Sequence, residues 1–253
     1  VKFKLALGAS FGAVFIASAI AHIPASWVWQ QAPAVPGLTV TGISGTVWQG
    51  RADKVSWQQQ SFGQVYWDVN VLDLLTAKVS ADVRFGQGSD MALRGRGEVG
   101  YTLSGGPYAK QLMVSLPAQQ ALNYAKLPIP LTATGHLELA LQEYQFAVPY
   151  CKSLTGTLTW SQPKVGTPMG DLALGQAKAD LRCVKGNLQA SVKQSSADVS
   201  SEWSATLDQR QNYQVSGWFK PGANFPTALG SQLKWLGNPD SKGQYRINQQ
   251  GRL

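Results

Sequence analysis

From Leu38 onward the chain alternates apolar and polar residues with a period of two. Val65, Trp67, Val69 and Val71 alternate with Tyr66, Asp68 and Asn70. Val79, Ala81, Val83 and Phe85 alternate with Lys78, Ser80, Asp82 and Arg84, and Leu137, Leu139 and Leu141 follow the same rule against His136, Glu138 and Gln142. Further on, Ala177, Ala179, Leu181 and Cys183 oppose Lys178, Asp180 and Arg182; then come Leu188, Ala190 and Val192, then Trp203, Ala205 and Leu207, then Tyr213, Val215 and Phe219. Side chains two apart share one face of a strand, so each segment is apolar on one side and wet on the other. Glycine and polar turns every 8–12 residues predict an antiparallel meander. A slip of one residue would turn charges into the core, so the phase is strongly fixed.

Two stretches break the period. Leu72–Thr76 reads as a helical turn between two strands. Pro117–Leu127 has Pro at a helix start with Ala121, Leu122 and Ala125 on one face. Residues 117–130 are therefore expected to connect a first β half, 38–116, to a second, 131–253, which closes with a turn at Asn238–Asp240 and a strand at Gln244–Asn248. A weak internal repeat suggests that the halves are similar. Gly45-Thr46-Val47-Trp48 is echoed by Gly156-Thr157-Leu158-Thr159-Trp160, and a strand beginning Ala-Lys follows each, at Ala77 and Ala177.

Before Leu38 the pattern changes. Leu5–Ile23 carries no charge, Lys2 and Lys4 precede it, and the next charge is Arg51. About 19 apolar and small residues in helix span roughly 28 Å, close to a bilayer's hydrocarbon core. Residues 1–23 are thus expected to form a cytoplasmic tail and a single transmembrane helix. Leu5, Phe11, Phe15, Ile16, Ile20 and Ile23 would face lipid, and the lysines would keep the N-terminus in the cytoplasm. The alternative is a cleaved signal peptide, since Ala17-Ser18-Ala19 and Ala19-Ile20-Ala21 both fit a small-x-small site. The length, Trp27 and Trp29, and the absence of a polar region before Ala19 favour a retained anchor. Residues 24–37, with Pro24, Pro33, Pro36 and Gly37, read as a linker holding at most a short helix near Ser26–Gln31. Both readings deliver the β body across the membrane. The fold expected is mainly β: an N-terminal single transmembrane helix, then an antiparallel β-sheet periplasmic domain.

Export changes the reading of the composition. The net charge of +8 is spread without clusters, and charged residues make up only 14% of the sequence. Anionic lipid or an acidic protein face suits such a surface; nucleic acid on the far side of a membrane does not. Cys151 and Cys183 are the only cysteines. An oxidising compartment favours their pairing, with two buried thiols as the alternative.

Candidate chemistry is sparse. The two histidines are His22, at the membrane edge, and His136, on a polar strand face. There is no nucleophile elbow, zinc-binding helix motif or Walker loop. Gly95–Gly100 matches G-x-G-x-x-G, but a strand follows where the dinucleotide fingerprint needs a helix. No enzyme, cofactor or metal site is expected. The nine tryptophans serve sheet packing or line an open apolar groove, because a long sheet with one greasy face needs a cover.

Three ordered motifs behind the anchor carry a resemblance: VTGISGTVWQGRA at Val40–Ala52, VYWDVNVLDLLT at Val65–Thr76 and LGNPDSKGQY at Leu236–Tyr245. With them the sequence resembles the type II secretion system protein N family over essentially its whole length. The turn Gly45, Trp48 and Gly50 is the centre of the first motif. The resemblance implies a bitopic accessory component of the bacterial inner membrane. Its partners would be other inner-membrane secretion components, and it would support export of folded proteins from the periplasm. It supplies no catalytic residues. GTVWQGRA followed by WDVNVLDLL is also similar, at the level of fold, to AsmA-like anchored periplasmic β proteins, which implies lipid handling as the alternative.

Overall fold

The computed structural model describes residues 2–125 and 130–252; the side chains of residues 2–10, 13 and 125 are outside that description. Two helices, α1 (Lys2–Ala21) and α2 (Ala25–Gln31), precede one antiparallel sheet. Its strands are β1 (Leu38–Gly45), β2 (Gln49–Trp57), β3 (Gln60–Val69), β4 (Lys78–Gln87), β5 (Arg94–Thr102), β6 (Gly106–Pro117) and β7 (Thr132–Gln145). They continue as β8 (Ser153–Thr167), β9 (Gly170–Ala173), β10 (Ala177–Val184), β11 (Asn187–Ser195), β12 (Val199–Leu207), β13 (Asn212–Pro221) and β14 (Tyr245–Arg252). Each strand pairs with the next, with one exception. β10 takes Thr155–Trp160 of β8, and the short β9 takes Lys164–Thr167 further along the same edge.

The expected helical breaks have places in this sheet. The 3-10 turn Val71–Thr76 joins β3 to β4. Helix α3 (Ala118–Ala125) follows β6 directly and lies beside β6 and β7; of the expected connector, 126–129 lie outside the described residues. The connector does not divide the sheet, because β6 pairs β7 from Tyr108↔Gln145 to Pro117↔His136. Nor do the repeated motifs occupy equivalent places. Gly45–Trp48 ends β1 and turns, whereas Gly156–Trp160 lies in mid-strand, paired with both β7 and β10. In space the body is one meander rather than two similar halves.

The alternation has its expected consequence, in half measure. Val83, Leu139, Leu158, Val192, Trp203 and Phe219 on the apolar face are half-buried, while Asp82, Arg84, Glu138 and Lys193 on the other face are exposed. The buried residues are few and mostly small, such as Ala52, Ala109, Ala133 and Ala179; Met91, Leu93, Tyr108 and Val199 are among the larger ones. Each strand lies beside its partners in the sheet, with α2 against β1 and the 3-10 turn against β4. Among the described residues the apolar face of the sheet is therefore only partly buried. Among the described residues β1 and β14 end the strand order and do not pair with each other.

Helix α1 does not use the sheet as its cover, since Phe11, Phe15, Ile16 and Ile20 are all exposed. Among the described residues no helix is long and apolar enough to cross a membrane. The side chain of Leu5, like those of the anchor residues up to Ser10, lies outside that set.

Candidate functional site

The first motif builds a joint. After Gly45 the backbone turns through Thr46, Val47 and Trp48 and returns at Gln49, closed by the Thr46 N–H donating to the Gln49 carbonyl at 2.9 Å. Gly50 has no room for a side chain: a Cβ there would meet the Trp67 ring at 2.5 Å and the Ser44 carbonyl at 2.6 Å. The turn holds the C-terminal end of α1 by two bonds. Trp48 Nε1 donates to the Ile20 carbonyl at 2.8 Å, and the Val47 N–H donates to the Ile23 carbonyl at 3.0 Å. Ile20 belongs to the last turn of a helix, where carbonyls lack intrahelical partners, so the Trp48 indole caps that end of α1. Pro24 adds a bridge to Thr46, and Trp67 Nε1 donates to the Thr46 carbonyl at 3.3 Å. Gly45, Trp48 and Gly50 thus sit together, and Ile20 and Ile23 from the expected anchor join them.

The apolar face is paved in a regular way. Trp67 lies across Gly50, Phe85 across Gly95, Leu141 across Gly156, Trp203 across Gly217 and Tyr213 across Gly251. Each is a directly opposed cross-strand pair. A Cβ built on any of these glycines would stand within 2.7 Å of the opposite side chain. Large side chains lying flat over glycine recover the packing that glycine forgoes. Cys151, before β8, is joined to Cys183 at the end of β10, with Cα atoms 6.2 Å apart. This clips the β7–β8 connection to the edge of β10.

An open hollow of about 1440 Å³ lies over β2–β7, lined among others by Tyr66, Asp68, Arg84, Arg96, Glu98 and Met113 of the polar face, with Trp67 and Phe85 also in its wall. Asp68, Asp82 and Glu98 are neighbours in one cross-strand row, and Tyr66, Arg84 and Arg96 in the next. Gln49 Nε2 donates to Asp68 Oδ2 at 3.2 Å, and the Tyr108 hydroxyl donates to Glu98 Oε1 at 2.9 Å. Burial first, then that bond to Glu98, pushes the Tyr108 phenol up to about 12. Among the described residues no group of three or more His, Cys, Asp or Glu side chains is placed to hold a metal ion. Gly95–Gly100 lies within β5, so no helix N-terminus is offered to a phosphate. His136 is exposed on β7 and paired with Pro117 and Ser161.

Sequence reasoning missed two parts of this arrangement. Tyr108 was hidden because Gln111, with φ 47°, is a bulge that breaks the alternation of β6. The bond from Trp48 to Ile20 spans 28 residues and leaves no local pattern. The spacing of glycines among aromatic strand residues was the available signal for the paved face.

Comparison with known proteins gives these surfaces a setting. Residues 36–248 match the family model described as type II secretion system (T2SS), protein N. The chain belongs to the type II secretion system protein N family. It is 43% identical over 252 residues to the type II secretion system protein N of Vibrio cholerae, covering 100% of both proteins. It is 31% identical over 255 residues to that of Aeromonas hydrophila, again over 100% of both, and 29% identical over 223 residues to that of Pectobacterium carotovorum, over 87% of this chain and 86% of that one. No solved structure matches. Membership gives the protein a general role in type II secretion, and these relatives are named as parts of that system rather than as enzymes.

Proposed function

We propose that this protein is an accessory inner-membrane component of the type II secretion system, supporting export of folded proteins through contacts with other inner-membrane components. Family membership over the full length is the observation that carries this reading. In it α1 crosses the membrane once, Lys2 and Lys4 remain in the cytoplasm, and the sheet works in the periplasm. Three physical features support the placement. The exposed Phe11, Phe15, Ile16 and Ile20 require an apolar surrounding. The basic residues on the short side favour that side's retention. The Cys151–Cys183 pair suits an oxidising compartment. For partners, the body offers an end strand, β14, that among the described residues pairs with β13 alone, and an end strand of this kind accepts another protein's strand.

Deleting the gene tests the reading. Secreted enzymes are expected to accumulate in the periplasm behind an intact outer membrane, and the full-length protein should restore their release. Undiminished secretion would contradict it.

A lipid occupant of the apolar face is the second reading. It is favoured by the lane from Trp67 to Phe219, whose large apolar side chains are only half-buried. Mass spectrometry of the purified full-length protein is expected to find bound lipid on this reading, and a lipid-free preparation that keeps its tryptophan emission unchanged would exclude it.

A further inference from the structure

The connection between β3 and β4 lies at the same end of the sheet as the turn that grips α1. Alternate connections of an antiparallel meander share an end, and these two are separated by two strand spacings, about 10 Å. Sheet twist of roughly 20–25° per strand turns the second by only about 40–50° from the first. The link is also direct, because the Val69 N–H donates to the Trp48 carbonyl at 2.6 Å while Trp48 donates to Ile20.

This connection is greasy on the outside and satisfied on the inside. Leu72 is 74% exposed and Leu75 85%, with Val71 and Leu74 exposed beside them. Leu103, 79% exposed, flanks them through its N–H, which donates to the Ala77 carbonyl at 3.5 Å. Several of the turn's own polar groups are engaged. Asn70 Oδ1 accepts from the Leu72 N–H at 3.2 Å, the Thr76 hydroxyl donates to the Asp73 carbonyl at 2.9 Å, and the Ala77 N–H donates to the Leu74 carbonyl at 3.2 Å. Its one acid, Asp73, accepts from the Ser80 hydroxyl at 2.5 Å and so is turned to the body. Leucines displayed on a turn that satisfies several of its own hydrogen bonds suit a medium that offers few.

We propose that Leu72 and Leu75, flanked by Leu103, seat in the head-group and upper acyl layer of the membrane that α1 enters. The body then touches the bilayer beside its anchor instead of swinging on a free linker. Apolar groups at such an interface lie about 5–10 Å deep, the reach of a short turn. The proposal rests on the reading of α1 as a membrane anchor. Continuity with that anchor, through Trp48 and Val69, is what selects a lipid surface as the occupant.

The test uses the full-length protein in vesicles of phosphatidylethanolamine and phosphatidylglycerol, some carrying lipids with a nitroxide at a shallow or a deep acyl position. No free cysteine competes for a label, because Cys151 and Cys183 are paired. An environment-sensitive NBD label at Leu75→Cys is expected to emit blue-shifted. The shallow nitroxide should quench it several-fold more than a label at Ser241→Cys, at the other end of the sheet. A label at Phe15→Cys reports on the anchor. Quenching at Phe15 with a wet, unquenched Leu75 overturns the proposal and leaves the anchor standing. Blue-shifted but unquenched emission at Leu75 places the turn against protein and also overturns it. A Phe15 label in water overturns the anchor reading, and this proposal with it.

Discussion

Trp48 does two jobs with one ring: it sits in the turn between β1 and β2 and caps the Ile20 carbonyl in the last turn of α1. Trp48→Phe keeps an aromatic ring there and removes the donor. It is expected to cost about 1 kcal/mol, the net value of a hydrogen bond, and to loosen the angle between α1 and the sheet. Spin-label distances between Phe15 and Ser241 should broaden in the variant; an unchanged distribution would show that the bond does not set the joint. Asp82 stands between Asp68 and Glu98 in one cross-strand row, and like charges directly opposed repel. Asp82→Asn should raise stability in denaturant titrations by about 0.2–1 kcal/mol, with the gain shrinking in high salt. Tyr108 gives a pH signature. Its phenol, held protonated when folded, titrates near 10 unfolded and near 12 folded. The folded state therefore binds the proton more tightly, so the contribution is complete below pH 10 and is lost as pH rises through about 12. Urea titrations from about pH 9 to pH 12 should show stability falling in the wild type and a flatter profile in Tyr108→Phe. Equal slopes would remove the phenol from the explanation. Of these residues, Trp48 was legible in the sequence as a motif position but not as a cap, since its acceptor lies on another element. Asp82 could be placed on a face, but its neighbours could not be named without the register.

At the scale of elements, period-two patterning located most strands because a half-covered sheet still demands that charges face water. Where a bulge adds a residue, as at Gln111 in β6, the phase reverses within one strand and the pattern fades. The 3-10 turn at Val71–Thr76 and helix α3 were legible from broken periodicity and from Pro117. The matching of rings to glycines was not, since it depends on which strand lies opposite. Gly217 shows the demand: a Cβ there would meet the Glu202 carbonyl and the Trp203 ring, each at 2.5 Å. Gly217→Val is expected to destabilise by about 1–3 kcal/mol, as overpacking does, and to shift tryptophan emission as the Trp203 ring lifts. A neutral substitution would mean that the ring moves freely. The Cys151–Cys183 bond closes a loop of 32 residues in sequence separation. On the chain-entropy model, the double Cys→Ser variant should lose about 3–4 kcal/mol in denaturant unfolding without reductant.

For the whole molecule, the sequence carried the class of fold and the family but suggested two halves where there is one continuous sheet. The reason is physical. A helical connector interrupts the pattern along the sequence, yet β6 and β7 on either side of it still pair edge to edge, and only long-range register reveals that. A sheet with so few buried residues keeps its apolar face only half-buried, and among the described residues its end strands each pair on one side and the side chains of α1 are exposed. The most direct measurement is labelling of Ala223→Cys, on the exposed β13–β14 connection, with a membrane-impermeant maleimide in spheroplasts. Labelling while the inner membrane is intact is the expected result for a periplasmic body tethered by α1. Labelling only after that membrane is broken would contradict it.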